Sequence, residues 1–147
     1  MARRTFFSFD YKYAWKVNQI RRMRNVISTS SVGFEDTSLW EEARRKGDQK
    51  VHRMIDEALQ GTEVTVVCVT RGTTDRKYLD YEIDHSLARG NGLVAVQIHH
   101  LKDQNGETGS AGDIPSRIQS NWFKAYKYIN EEALARWIEE AAKLAGK

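Results

Sequence analysis

The sequence predicts an α/β domain built on a doubly wound, mostly parallel sheet of about five strands. Three observations carry this expectation. Residues 63–69, "EVTVVCV", are nearly all β-branched, the mark of a strand covered on both faces. Residues 92–98, "GLVAVQI", read as another central strand. Around them stand segments whose apolar residues recur at helical spacing, so strands alternate with helices. That alternation favours parallel strands joined by right-handed crossovers, flavodoxin-like in order, with ligands beyond the carboxyl ends of the strands.

In chain order, residues 4–9, "RTFFSF", read as a short buried strand, and Asp10 is placed to cap the next segment. Ala14, Val17, Ile20 and Met23 recur at helical spacing and predict a helix over 13–23. Residues 28–38, "STSSVGFEDTS", are rich in turn formers and read as a loop, with a short edge strand around 32–34. A helical region comes next, in two pieces around Gly47; the second shows Val51, Met54, Ile55, Ala58 and Leu59 on one face and stops at Gly61. After the strand at 63–69, "TRGTTDRK" leads into a helix over about 76–89, which ends in the turn "RGNG". The strand at 92–98 gives way to a polar, Gly-rich connection, "KDQNGETGSAGD". Residues 122–129, "WFKAYKYI", alternate as a last strand. Asn130 caps a terminal helix with two glutamates in its first turn and Gly146 past its end.

Composition narrows the function classes. The 147 residues fit one domain spanning 1–147. With 40% hydrophobic and 29% charged residues, the chain is an ordinary globular protein. The N-terminal apolar stretch is too short for a signal peptide, and no run approaches membrane-spanning length, so a cytoplasmic protein is expected, with no membrane partner. The lone Cys68 lies in a strand and reads as a buried, inert thiol. The net charge is +3, part of it in "QIRRMR" and "ARRKG". Basic and aromatic residues do not interleave there, which argues for solvated helix faces rather than a nucleic-acid surface. The positive excess also suits attraction of an anionic nucleotide.

No GxGxxG or Walker motif is present. His99 and His100 lack a carboxylate at ligand spacing, so no metal site is expected. Trp15 and Trp40 read as packing residues and His85 as a surface one. The most informative residue is Glu82. Leu79, Ile83 and Leu87 form the apolar stripe of the helix that holds it, while Tyr78, Glu82 and Ser86 form the neighbouring stripe. Glu82 therefore lies at the border of the buried face, close to the strand ends. Asp10, His99 and His100 approach the same edge. Two readings stay open: a glutamate favoured by the helix dipole and paired with Arg76 or Lys77 on the surface, or a functional carboxylate.

Three blocks bear on the choice: "RRTFFSFDYKYAWKVNQIRR", "GFEDTSLWEEARRKGDQKVHRMIDEALQGTEVTVVCVT" and "YEIDHSLARGNGLVAVQIHHLKDQNG". They resemble the TIR-like family of bacteria and archaea, and within it the TIR proteins of Thoeris antiphage defence systems. The resemblance covers residues 3–107 and is looser beyond. It implies a flavodoxin-like, TIR-like fold and cleavage of the nicotinamide–ribose bond of NAD⁺, with NAD⁺ as substrate and no cofactor. It implies a cyclised ADP-ribose product that activates a separate effector protein, and sites often completed by self-association. The family's catalytic glutamate falls in "YEI", which is Glu82. The first-strand block "SFDY" makes Ser8, Phe9, Asp10 and Tyr11 candidate substrate-binding residues, with Asn18 as a further polar contact. The family commonly carries Trp four residues before its glutamate; here Tyr78 stands there and offers an aromatic face.

The chemistry fits a single carboxylate. Breaking the bond to nicotinamide develops positive charge on the ribose, as in glycoside hydrolysis. A fixed anion stabilises that charge. Nicotinamide leaves as a neutral molecule, so no general acid is required. Two rival readings remain at this level. One is a non-catalytic TIR-like interaction module. The other is a nucleoside deoxyribosyltransferase-like enzyme, which shares the sheet type and a glutamate.

Overall fold

In a computed structural model, which describes residues 2–24, 26–30 and 37–147, the first strand β1 (Arg3–Ser8) runs through the middle of the sheet. It pairs with β2 (Val26–Thr29) on one side and with β3 (Val64–Val69) on the other. Beyond β3 lie β4 (Gly92–Gln97) and β5 (Lys124–Lys127). All pairings are parallel, and the order is β2-β1-β3-β4-β5 in one five-stranded sheet. This is the flavodoxin-like α/β arrangement expected from the alternation of elements.

The helices are α1 (Ala14–Asn18), α2 (Thr37–Lys46), α3 (Asp48–Leu59), α4 (Leu79–Ala88), α5 (Ser116–Ser120) and α6 (Glu131–Leu144). Period-two alternation along the central strands divides the core. Val67, Val69, Leu93 and Ala95 pack with Leu79 and Ile83 of α4 and Ile118 of α5. Val66, Cys68, Val94 and Val96 belong to the larger cluster that includes Leu134, Trp137 and Ile138 of α6. β4 and α6 approach so closely that a Cβ at Gly92 would sit 2.2 Å from the Ala141 carbonyl oxygen. Arg3 joins distant parts of the chain, with Nη1 2.6 Å from Glu63 and Nε and Nη2 forked onto Glu139 of α6 at 2.8 and 2.7 Å. Among the described residues no helix is long and apolar enough to cross a membrane.

Several expectations need correction. The edge strand is Val26–Thr29, so Ser28 and Thr29 are strand, not loop; the expected strand at 32–34 lies outside the described residues. The hydroxyls that suggested a loop are used by the fold: Ser28 Oγ donates to Arg21 O at 2.6 Å and Thr29 Oγ1 to Ala58 O at 2.7 Å. The first helix is shorter than 13–23. A 3-10 turn over Tyr11–Tyr13 leads into the five residues of α1, and turns then carry the chain back to β2. Ile20 and Met23 are nonetheless buried, so their apolar spacing reflects burial without continuous helix. Helix α4 starts at Leu79 rather than 76, after a 3-10 turn at Thr73–Asp75. Helix α5, just after Pro115, was not anticipated. Trp40 is buried as expected, but Trp15 is 55% exposed.

Candidate active site

The strand order reverses between β1 and β3, and a crevice is expected outside their carboxyl ends. Each wall of it arises from local sequence. Where β1 ends, Asp10 adopts extended backbone and its side chain accepts from Lys12 N at 3.2 Å, opening the 3-10 turn that holds Tyr11. Where β3 ends, Thr73 Oγ1 donates to Thr70 O at 2.9 Å and accepts from Thr70 N at 2.8 Å. Gly72 turns the chain with φ +83°, a conformation that disfavours side chains. Gly112 presses onto this turn, since a Cβ there would lie 1.9 Å from Thr70 O. The turn delivers Arg76, whose backbone N–H bonds Thr73 O at 3.2 Å.

A cleft of about 160 Å³ results, lined by Phe9, Asp10, Tyr11, Trp40, Arg44, Arg76, Lys77 and Tyr78. A shallower groove of about 410 Å³ continues from it over Arg44, Lys77 and Tyr78 to Glu41 and Arg45. The walls are aromatic and the rim is mostly basic. Arg44 lies over the Tyr11 ring, 5.6 Å from its centroid, and donates to the Tyr11 hydroxyl at 3.4 Å. Tyr78 donates its hydroxyl to Asp48 Oδ1 at 2.8 Å and meets Trp40 edge-on at 5.9 Å. The Trp40 Nε1–H is buried without a hydrogen-bond acceptor among the described residues.

Glu82 lies behind the cleft. It is 1% exposed, deeper than the border position expected from its stripe; Ser86 in the same stripe is also buried. Its ion pair with Arg76 Nη2 is buried, not a surface contact, and Arg76 Nη1 also donates to Ser8 Oγ at 3.0 Å. Burial pushes the Glu82 carboxyl above the usual range; the Arg76 charge and hydrogen bond oppose that, and the Ser8 hydroxyl also lowers it. Among the described residues no hydrogen-bond partner reaches Oε2. Cys68 is close enough to feel both charges, and burial pushes its thiol up to about 12, which keeps it protonated and unreactive.

The fold thus brings Phe9, Asp10, Tyr11 and Tyr78 into one cleft, with Ser8 and Glu82 joined to it through Arg76. Asn18 lies elsewhere, half-buried, accepting from Arg21 Nε at 2.7 Å within its own turn. Sequence reasoning gave Trp40 only a packing role and Arg76 only a surface pairing with Glu82, and it passed over Arg44. Arg44 sits in the run "ARRKG", read as a solvated face; only the fold shows which of its cations turns toward Tyr11. His99 and His100 contact each other edge-on at 5.2 Å, and His100 Nε2 lies 2.7 Å from Tyr128 O. Burial lowers the His99 pKa. Among the described residues no three His, Cys, Asp or Glu side chains are grouped to hold a metal ion. A separate cavity of about 190 Å³ opens near the start of β4, between Phe123 and Trp137, and contains none of the candidate residues.

A parallel sheet in this order, with a basic, aromatic cleft at its switch point, defines a flavodoxin-like α/β protein of the TIR-like class. A sequence model of the family described as "Thoeris protein ThsB, TIR-like domain" matches residues 6–103, and the chain belongs to that family. It is also similar, at 36% identity over 118 residues, to a Bacillus cereus (strain MSX-D12) protein named "Putative cyclic ADP-D-ribose synthase ThsB1". That match covers 78% of this chain and 62% of the relative's length.

Proposed function

We propose that this protein cleaves the nicotinamide–ribose bond of NAD⁺ and releases a cyclised ADP-ribose, a signal read by a separate effector in antiphage defence. The observation that carries this reading is Glu82, a carboxylate buried with Ser8 and Arg76 directly behind a basic, aromatic cleft that Arg76 lines. The name of the Bacillus relative supports it. Basic residues at the rim suit a diphosphate, and Phe9, Tyr11, Trp40 and Tyr78 offer surfaces for rings.

In this reading the C1′–N bond of NAD⁺ breaks and its electron pair leaves with neutral nicotinamide. Positive charge develops at C1′, and Glu82 stabilises it. An adenine nitrogen or ribose hydroxyl of the same molecule then attacks C1′; a hydroxyl nucleophile releases its proton to solvent. Well-oriented intramolecular partners reach effective molarities of ~10⁵ M or more, so a folded substrate shielded by aromatic walls outcompetes water. The cleft of about 160 Å³ is smaller than the ~300–1,000 Å³ of ordinary ligand sites. The adjoining groove of about 410 Å³ over Arg44, Lys77 and Tyr78, a widening of the cleft, or a second copy would supply the remaining room.

The test compares the protein with Glu82→Gln. NAD⁺ turnover is expected to fall by about 10²–10³-fold, the scale for losing one preorganised charge-stabilising group, with a cooperative thermal melt retained. Products are separated by mass, because cyclised forms are one water lighter than linear ADP-ribose. Unchanged turnover in the variant sinks the assignment; linear product alone leaves a plain hydrolase. One observation favours a second reading, a non-catalytic interaction module: the Glu82 carboxylate pairs inward with Arg76 and does not line the cleft. Absence of NAD⁺ turnover at high protein concentration would support it. Activity on deoxynucleosides but not on NAD⁺ would instead indicate a deoxyribosyltransferase-like enzyme.

A further inference from the structure

Arg76 serves two environments at once. Inward, its Nη2 pairs with Glu82 and its Nη1 donates to Ser8 Oγ at 3.0 Å. Outward, its side chain forms part of the cleft wall beside Phe9, Tyr11 and Tyr78. Its side chain is 10% exposed and that of Glu82 only 1%. The cleft therefore meets Arg76 first, and the carboxylate lies behind it. A guanidinium fork matches a carboxylate and a phosphate equally well in shape.

We propose that Arg76 is an exchange latch: it covers Glu82 in the ligand-free fold and passes to the diphosphate of an incoming dinucleotide, which uncovers the carboxylate for the ribose. The proposal rests on the dinucleotide reading given above. Charge conservation makes the exchange feasible. A buried carboxylate that loses its only counter-ion is costly. NAD⁺ carries both replacements: a diphosphate to take the guanidinium, and a cationic nicotinamide–ribose end to take its place opposite Glu82. Arg44 and Lys77 on the same wall add to the attraction for the diphosphate. A ligand with the diphosphate but no cation, such as ADP-ribose, draws Arg76 away and leaves Glu82 uncompensated. Binding of ADP-ribose is therefore opposed by the charge of Glu82, and opposed through Arg76.

That coupling is measurable without turnover. ADP-ribose is titrated calorimetrically into the unmodified protein, Glu82→Gln, Arg76→Gln and the double variant, with a thermal melt of each. The latch predicts that Glu82→Gln tightens ADP-ribose binding at least tenfold, by freeing the guanidinium. It predicts that Arg76→Gln weakens binding, and that Glu82→Gln changes affinity by less than twofold when Arg76 is already gone. Equal tightening with and without Arg76 would mean simple repulsion by Glu82 and overturns the latch, as does no tightening at all. Absence of ADP-ribose binding in all four proteins overturns the dinucleotide reading itself, and the latch with it. If Arg76→Gln does not fold, Arg76→Lys takes its place; it keeps the charge and loses the fork. The tightening should then shrink, and an undiminished one overturns the proposal.

Discussion

At the residue scale, Glu82 is a charged side chain placed at 1% exposure, which is costly. Its carboxyl titrates above the usual glutamate range because burial outweighs the help from Arg76 and Ser8. A carboxyl whose folded pKa is raised holds its proton more tightly in the native state than in the unfolded chain. Its contribution to stability therefore declines as pH rises from the usual glutamate value through the raised one, and stays lowered above it. Replacing it with glutamine removes that decline. The unfolding free energy of Glu82→Gln minus that of the unmodified protein is expected to rise with pH across this window and to flatten on both sides. Urea unfolding at a series of pH values checks it; a difference that falls with pH would show a net favourable carboxylate. The sequence makes the location of Glu82 legible through its i, i+4 relation to Tyr78 and Ser86. It does not reveal the depth. Depth depends on Ser8 and Arg76 arriving from a different strand and a different turn, and periodicity within one helix carries no record of either.

At the scale of elements, the clearest signals came from segments with one physical demand. The apolar runs of β3 and β4 are covered on both faces, and α6 opens with Asn130, whose side chain accepts from Ala133 N at 2.8 Å. The obscure elements answer to two demands. β2 carries serine and threonine because its hydroxyls tie down the neighbouring turn and α3, so it imitates a loop. α1 breaks off after five residues because the chain must return to pair Val26 with Arg3. Gly92 is a hidden constraint of the same kind. It reads as a turn residue after α4, yet its missing side chain admits the backbone of α6. Gly92→Ala would place a Cβ 2.2 Å from Ala141 O, and backbone there cannot turn aside as a flexible side chain would. A loss of about 1–3 kcal/mol is expected, the usual scale for overpacking. Urea denaturation measures it; a loss below ~0.5 kcal/mol, within the range of ordinary surface changes, would show that α6 shifts freely on β4.

For the whole molecule, the small cleft sets the expectation. Its wall runs from β1 through α2 to the turn before α4, and no described segment closes over it as a lid. A site completed by a second copy has an activity that depends on protein concentration. Specific NAD⁺ turnover is expected to rise over a wide dilution series and to level off once association is complete. Specific activity that stays flat over the whole series would mean a self-sufficient monomer. The general architecture was legible because alternating strands and helices admit few topologies. What the rim meets was not, because aromatic and basic residues there look alike whether they face a ligand or another copy.

The ion pairs of Arg3 have a bearing on how the molecule comes to exist. The fork onto Glu139 ties the first strand to the last helix, and the contact to Glu63 ties it to the entry of β3. During synthesis the partner of β1 in α6 emerges more than a hundred residues after β1 itself. No strand in this sheet can pair with a neighbour through a tight hairpin, since every pairing is parallel. Each strand must therefore wait for a crossover before its next neighbour can pair with it. β1 and β3, whose carboxyl ends lead into the cleft, gain their last ionic clamp at the amino ends only when the segment carrying Glu139 arrives, so a half-made chain lacks the finished support.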